Sequence, residues 1–296
     1  MIKSAFIIAT ILIFTGCNER SSFNNLKLSK RSTYHSVNLC PVISNEQWIL
    51  SDVVIVTDEN DTIQGRLRSP VNRDRSYPLA FLVVGIETGK EVVSMIKGYE
   101  SVAVFSLDYP YRGTMDFSGW KGLTTTLALR TVGFKSIKNI ITSLDYLSSL
   151  SYIDIENISI IAVSFGVFTG VPSAVIDERV DRLVVVQAGG DLRKILSANA
   201  ERLQMPLPSW LAGWLGSIIL APFEPNLYID KFSPRPFLIV SGESDQLFPR
   251  ESIESLFTHA RDPKEWIKHK SGHVDPSTEK LIIELAEIVG KKLYGY

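Results

Sequence analysis

Ser164 lies in the run Ala162-Val163-Ser164-Phe165-Gly166, directly after the apolar stretch Ile158 to Val163 and ahead of residues with helical character. A serine hydroxyl is a poor nucleophile until a neighbouring base takes its proton, so its chemistry depends on how the chain presents it. A sharp strand-to-helix turn presents it well. Such a turn strains the backbone of its central residue and is tolerable only if the residues two before and two after lack bulk. Ala162 and Gly166 meet that need. The turn would lift the Ser164 hydroxyl off the sheet edge and aim the Phe165 backbone N–H, at the helix start, at a carbonyl oxygen gaining charge. On these residues alone the alternative stands that Ser164 merely closes a tight turn.

The elements that must position this serine are legible as an alternation of apolar runs and helical stretches from Trp48 onward, the pattern of an α/β fold with a mostly parallel twisted sheet. Val53 to Val56 and Thr62 to Leu67 flank the polar cluster Asp58-Glu59-Asn60-Asp61, which predicts an antiparallel N-terminal hairpin. Leu79 to Val84, Val102 to Leu107, Ile158 to Val163, Leu183 to Val186 and Pro236 to Val240 read as buried strands. Ile137, Ile140, Ile141, Leu144 and Leu147 recur at helical spacing and predict a helix covering one face of the sheet. Residues 191–222 break the rhythm. There Leu207, Trp210, Leu211, Trp214, Leu215, Ile218 and Ile219 form a stripe at three and four spacing, expected to be buried in a short helical lid over the carboxyl ends of the strands. The stripe fits ordinary core packing, contact of Trp210 and Trp214 with a substrate acyl chain, or contact with a membrane.

The Ser164 segment resembles the nucleophile elbow of α/β-hydrolase-fold enzymes, with Ala162 in place of the usual first glycine. That family places its acid after a later strand and its histidine after the last one. Following Pro236 to Val240, the loop Ser241 to Pro249 is similar to the acid-bearing loop and makes Asp245 the candidate acid, with Glu243 and Asp275 as lower-ranked substitutes. Trp266 to His273 resembles the last strand and its histidine loop, with His273 as the candidate base, a structural reading for His269, and a terminal helix from Ser277 to Lys292 behind. Of only four histidines, one falls where the family needs it. The resemblance further implies a second oxyanion donor at the Ile86 backbone N–H, in a turn where Val84 replaces a common histidine and Glu87 adds a negative charge unless it turns away toward Lys90. It implies that Tyr109 and Tyr111, in the loop Asp108 to Gly113, line a substrate pocket; a simple turn fixed by Pro110 and Gly113 fits the same residues. Pro172 departs from the pattern and predicts a kinked or short helix behind the elbow. The likeness covers Trp48 to Tyr296 and is nearest to esterase, dienelactone-hydrolase and prolyl-peptidase-like branches.

Ahead of the catalytic domain (48–296), Lys3 and the apolar run Ser4 to Thr15 read as an export signal, too short for the roughly 20 apolar residues that span a bilayer. Phe14-Thr15-Gly16-Cys17 resembles the bacterial lipobox, with phenylalanine in place of the usual leucine. The resemblance implies a signal over 1–16, lipidation of Cys17 and attachment to a membrane of the cell envelope. A plain signal or an uncleaved anchor are the other readings. With Cys17 lipidated, Cys40 is a free thiol; if the segment is retained without lipid, a Cys17–Cys40 disulfide becomes possible in an oxidising compartment, and residues 17–47 read as a polar tether.

Composition excludes several other classes. The 296 residues are 45% hydrophobic and 21% charged, too apolar for a disordered chain, and two cysteines are too few for a disulfide-stapled miniprotein. A formal net charge of -1, from 31 basic and 32 acidic residues, offers no positive field for nucleic acid. There is no His-Glu-x-x-His run and no glycine-rich phosphate loop, so no metal and no cofactor are expected. The sequence thus predicts a serine hydrolase acting on a small-molecule ester or acyl substrate. A peptidase or acyltransferase would use the same three residues, and a non-catalytic envelope lipoprotein could keep the fold as a binding scaffold.

Overall fold

The structure is a computed structural model and describes residues 33–295, so the segment read as an export signal and Cys17 lie outside the described residues. Among the described residues nine strands form one sheet: β1 (Tyr34–Ser44), β2 (Trp48–Thr57), β3 (Thr62–Pro70), β4 (Tyr77–Val83), β5 (Ala103–Leu107), β6 (Ile153–Val163), β7 (Val180–Val186), β8 (Phe237–Gly242) and β9 (Lys264–His269). Their spatial order is β1-β2-β3-β5-β4-β6-β7-β8-β9. The first three strands are antiparallel and join β5 antiparallel, while β5, β4 and β6 through β9 run parallel. The hairpin between β2 and β3 turns at Asn60, which takes a left-handed φ of 60° that asparagine tolerates better than most residues.

Helices cover both faces, because the central strands carry apolar side chains at successive positions and so present a dry surface each way. In β4, Leu79, Phe81 and Val83 enter one core while Ala80 and Leu82 enter the other, the period-2 alternation of a strand. The first core is closed by α2 (Lys121–Ser148), α3 (Val167–Ile176) and α6 (Arg250–His259); the second by α1 (Val92–Met95) and α7 (Glu279–Tyr294). Pro172 lies inside α3, and that helix is only ten residues long.

Two expectations need correction. Residues 34–44, read as part of the tether, form β1, an edge strand paired along β2. Most of its side chains are exposed, so backbone pairing rather than a buried face holds it, and no hydrophobic periodicity marks it in the sequence. Cys40 sits on this strand as an exposed free thiol. The segment expected as a lid is α4 (Leu192–Asn199) packed on α5 (Ser209–Leu220), and its expected stripe divides: Leu211, Leu215, Ile218 and Ile219 are half-buried, while Leu207, Trp210 and Trp214 are exposed. The helices approach closely through Gly213, where a Cβ would lie 2.6 Å from the Arg193 carbonyl oxygen. Ala212 and Gly213 are buried, whereas Trp210 and Trp214 remain 63% and 44% exposed. Close helix contact selects the small residues and turns the indoles outward.

Candidate active site

The elbow begins where β6 ends. Ser164 takes a φ of 51°, a left-handed conformation that costs a non-glycine residue of order 1–3 kcal/mol and persists only where its surroundings enforce it. The enforcement is steric. A Cβ on Gly166 would lie 1.9 Å from the Val83 carbonyl oxygen, so the turn is pressed against the end of β4. On the other side, a Cβ on Gly170 would come within 2.8 Å of the Ala162 Cβ. Ala162 can therefore replace the usual first glycine because α3 supplies the missing room. Gly166→Ala is expected to destabilise the fold by at least the roughly 3 kcal/mol that marks the upper range of overpacking, since backbone must move. Chemical denaturation followed by circular dichroism measures this, and a loss under about 1 kcal/mol would show that the turn is not sterically held.

Three loops bring Ser164, His273 and Asp245 together. The Ser164 hydroxyl lies 2.7 Å from His273 Nε2, and His273 Nδ1 lies 2.8 Å from Asp245 Oδ2. A carboxylate only accepts, so His273 carries its proton on Nδ1 and leaves the Nε2 lone pair to receive the Ser164 proton. The other oxygen, Asp245 Oδ1, accepts the backbone N–H groups of Leu247 at 2.8 Å and Phe248 at 3.0 Å, which fixes the plane of the carboxylate. The Asp245 side chain is almost wholly buried and that of His273 mostly so. Phe248 stacks on the imidazole at 5.8 Å between centroids, with Phe168, Phe165 and Tyr109 continuing the aromatic wall.

The substitutes for the acid lie elsewhere. Glu243 is exposed, and Asp275 caps a turn by accepting from the Ser277 N–H and hydroxyl, bonds that hold its carboxyl below the usual range. His269 ends β9, with Nε2 3.6 Å from Glu284 Oε2.

The turn after β4 carries Ile86. It is closed by the Thr88 and Gly89 N–H groups on the Gly85 carbonyl and pinned from β5, where the Ser106 hydroxyl donates to the Gly89 carbonyl and Asp108 Oδ1 accepts the Lys90 N–H at 2.9 Å. The Lys90 ammonium faces Asp108 at 3.7 Å rather than Glu87, and Glu87 is exposed. Contact of Gly166 with Val83 places the elbow, with Phe165, against the strand that leads into this turn. Tyr109 is buried, its hydroxyl 3.1 Å from Thr169 Oγ1, and burial pushes its phenol up. The Tyr111 hydroxyl donates to the Thr114 carbonyl within its own loop.

Two residues of this neighbourhood escape sequence reasoning. Glu224, at the base of the lid, accepts N–H groups from Asp191, Leu192 and Asn226; burial raises its carboxyl, and these bonds oppose the rise. Gln187 follows β7 and reaches the His273 loop. The one signal in the sequence is a polar residue ending the run Leu183 to Val186.

A family model described as "Serine hydrolase (FSH1)" matches residues 182–284, the stretch holding Asp245 and His273. Among solved structures, acetyl xylan esterase 1 from Thermoanaerobacterium sp. is similar with a TM-score of 0.67 at 13% identity, covering 94% of each chain. The acetyl xylan esterase of Paenibacillus sp. R4 gives 0.65 at 17% identity, over 92% of this chain and 93% of that one. The chain has the α/β-hydrolase fold. A cold-adapted esterase from an Arctic intertidal metagenomic library is similar to this chain at a TM-score of 0.55 and 14% identity, over 88% of this chain and 100% of that one. No curated protein matches this chain in sequence. Ser164 lies outside the stretch matched by the family model, and its pairing with His273 rests on geometry.

Proposed function

We propose that this protein is a serine hydrolase that cleaves carboxylic esters of small molecules through an acyl-enzyme, and that it does so at a bacterial cell envelope, held by a lipid on Cys17. The observation that carries the catalytic half is the unbroken hydrogen-bond path from the Ser164 hydroxyl through His273 to Asp245, on an elbow strained at φ 51°. In the first half-reaction Ser164 Oγ bonds to the ester carbonyl carbon as its proton passes to His273 Nε2. The carbonyl oxygen becomes an anion facing the Phe165 and Ile86 N–H groups. Collapse of this intermediate breaks the bond to the alkoxide, which takes the proton back from Nε2. A water molecule then repeats the sequence on the acyl-serine, giving its proton to His273, and releases the carboxylic acid and free Ser164. Asp245 holds the tautomer and stabilises the imidazolium throughout without taking the proton.

The ester preference is supported by the names of the similar structures, two acetyl xylan esterases and a cold-adapted esterase. Pre-steady-state hydrolysis of p-nitrophenyl acetate tests it: a burst of p-nitrophenol equal to the enzyme concentration marks the acyl-enzyme. Cleavage of an anilide with no cleavage of the ester would contradict the preference. The anchoring half rests on Phe14-Thr15-Gly16-Cys17. An intact mass that begins at Cys17 and includes a diacylglycerol supports it, and a mature chain without lipid ends it.

A further inference from the structure

Gln187 is fully buried and takes a left-handed φ of 46° directly after β7. Its own N–H donates to the Val240 carbonyl at 2.7 Å, which extends the register of β7 on β8 by one residue before the chain turns. The side chain runs past Gly242: a Cβ there would lie 3.3 Å from Gln187 Nε2 and 2.7 Å from the Ser271 carbonyl oxygen. At its end, Nε2 donates to Ser271 Oγ at 3.0 Å and to the Gly272 carbonyl at 2.9 Å, while Oε1 accepts the Val274 N–H. The partners fix which atom is which, because a carbonyl needs a donor and an N–H an acceptor. One primary amide therefore grips the backbone immediately before and immediately after His273. The other ties of this loop lie further out, at the Ser271 carbonyl, which accepts the Ser244 N–H at 3.0 Å, and at the Asp275 N–H, which donates to Thr278 Oγ1 at 3.0 Å.

We propose that Gln187 is the positioning residue of the triad, holding His273 at the height where its two ring nitrogens meet Ser164 and Asp245 at once. The inference rests on the ester-hydrolase reading above. An imidazole bonded at 2.7 Å on one side and 2.8 Å on the other has little freedom, and a displacement of the order of 1 Å costs about 10²-fold in rate. No other polar side chain of that length does the same work: glutamate lacks the donor, methionine lacks both groups, and asparagine falls a methylene short.

The test compares Gln187→Met and Gln187→Asn with the wild type in the full chain. Asparagine tolerates the left-handed backbone, so this second variant keeps the turn and a buried amide while withdrawing the grip. In folded protein, both are expected to lower kcat for p-nitrophenyl acetate about 10²-fold, with KM unchanged. The rate of labelling by a fluorophosphonate should fall alongside. The far-downfield proton resonance of the His273 Nδ1–H to Asp245 bond should shift or broaden. Wild-type kcat in folded variants would overturn the assignment, as would a loss that only tracks the folded fraction while the resonance stays in place. A wild-type enzyme that neither cleaves the ester nor reacts with the fluorophosphonate overturns the ester-hydrolase reading instead, and the resonance alone then decides the role of Gln187.

Discussion

Ser164→Ala and His273→Ala should each lower hydrolysis of an activated ester by about 10⁴ to 10⁶, and the double variant should lose little more than either alone. Such losses correspond to about 5–8 kcal/mol of transition-state stabilisation. The reason for non-additivity is in the geometry. The 2.7 Å bond between Ser164 Oγ and His273 Nε2 makes attack and proton removal a single event, so deleting either partner removes the same acceleration. What survives is the contribution of the oxyanion donors and of binding. Steady-state kinetics on the three variants checks this, and losses that multiply would mean that the two residues act in separate steps.

Asp245→Asn should fold like the wild type yet turn over about 10⁴-fold more slowly. The hydrogen-bond pattern dictates the outcome. The asparagine oxygen is expected at the place of Oδ1, where the Leu247 and Phe248 N–H groups demand an acceptor. Its amide nitrogen then faces His273 Nδ1 as a donor, and the imidazole must move its proton to Nε2, where it can no longer accept from Ser164. Thermal unfolding alongside kcat separates this from simple destabilisation. Full activity in Asp245→Asn with loss in Glu243→Gln or Asp275→Asn would move the acid to another residue.

The parts of this site that depend on local sterics are readable in the sequence. A strand run, a serine, small residues two away on each side and a helix leave few other ways to turn the chain, and Ser164 does take the strained conformation that reading requires. The sheet core is legible for a similar reason, since continuous runs such as Leu79 to Val84 can be satisfied only by burial on both faces. What escapes depends on backbone pairing or on distant partners. β1 is held by its ladder to β2, not by a hydrophobic face, and its mixed residues look like a tether. The periodic stripe of α5 predicts a buried face, but periodicity does not say how close a neighbouring helix will come, and Gly213 rather than Trp214 decides that. Gln187 carries no mark of its partners, which lie 84 and more residues further along the chain. Lys90 forms its ion pair with Asp108, brought beside it by β5, rather than with its sequence neighbour Glu87.

The reactivity of Ser164 itself is the point on which everything else depends. Wild-type protein treated with a fluorophosphonate and digested for peptide mass mapping should carry one adduct, on Ser164, and Ser164→Ala should carry none. Complete resistance of the folded wild type, or an adduct on any other residue, would contradict an activated serine at this elbow.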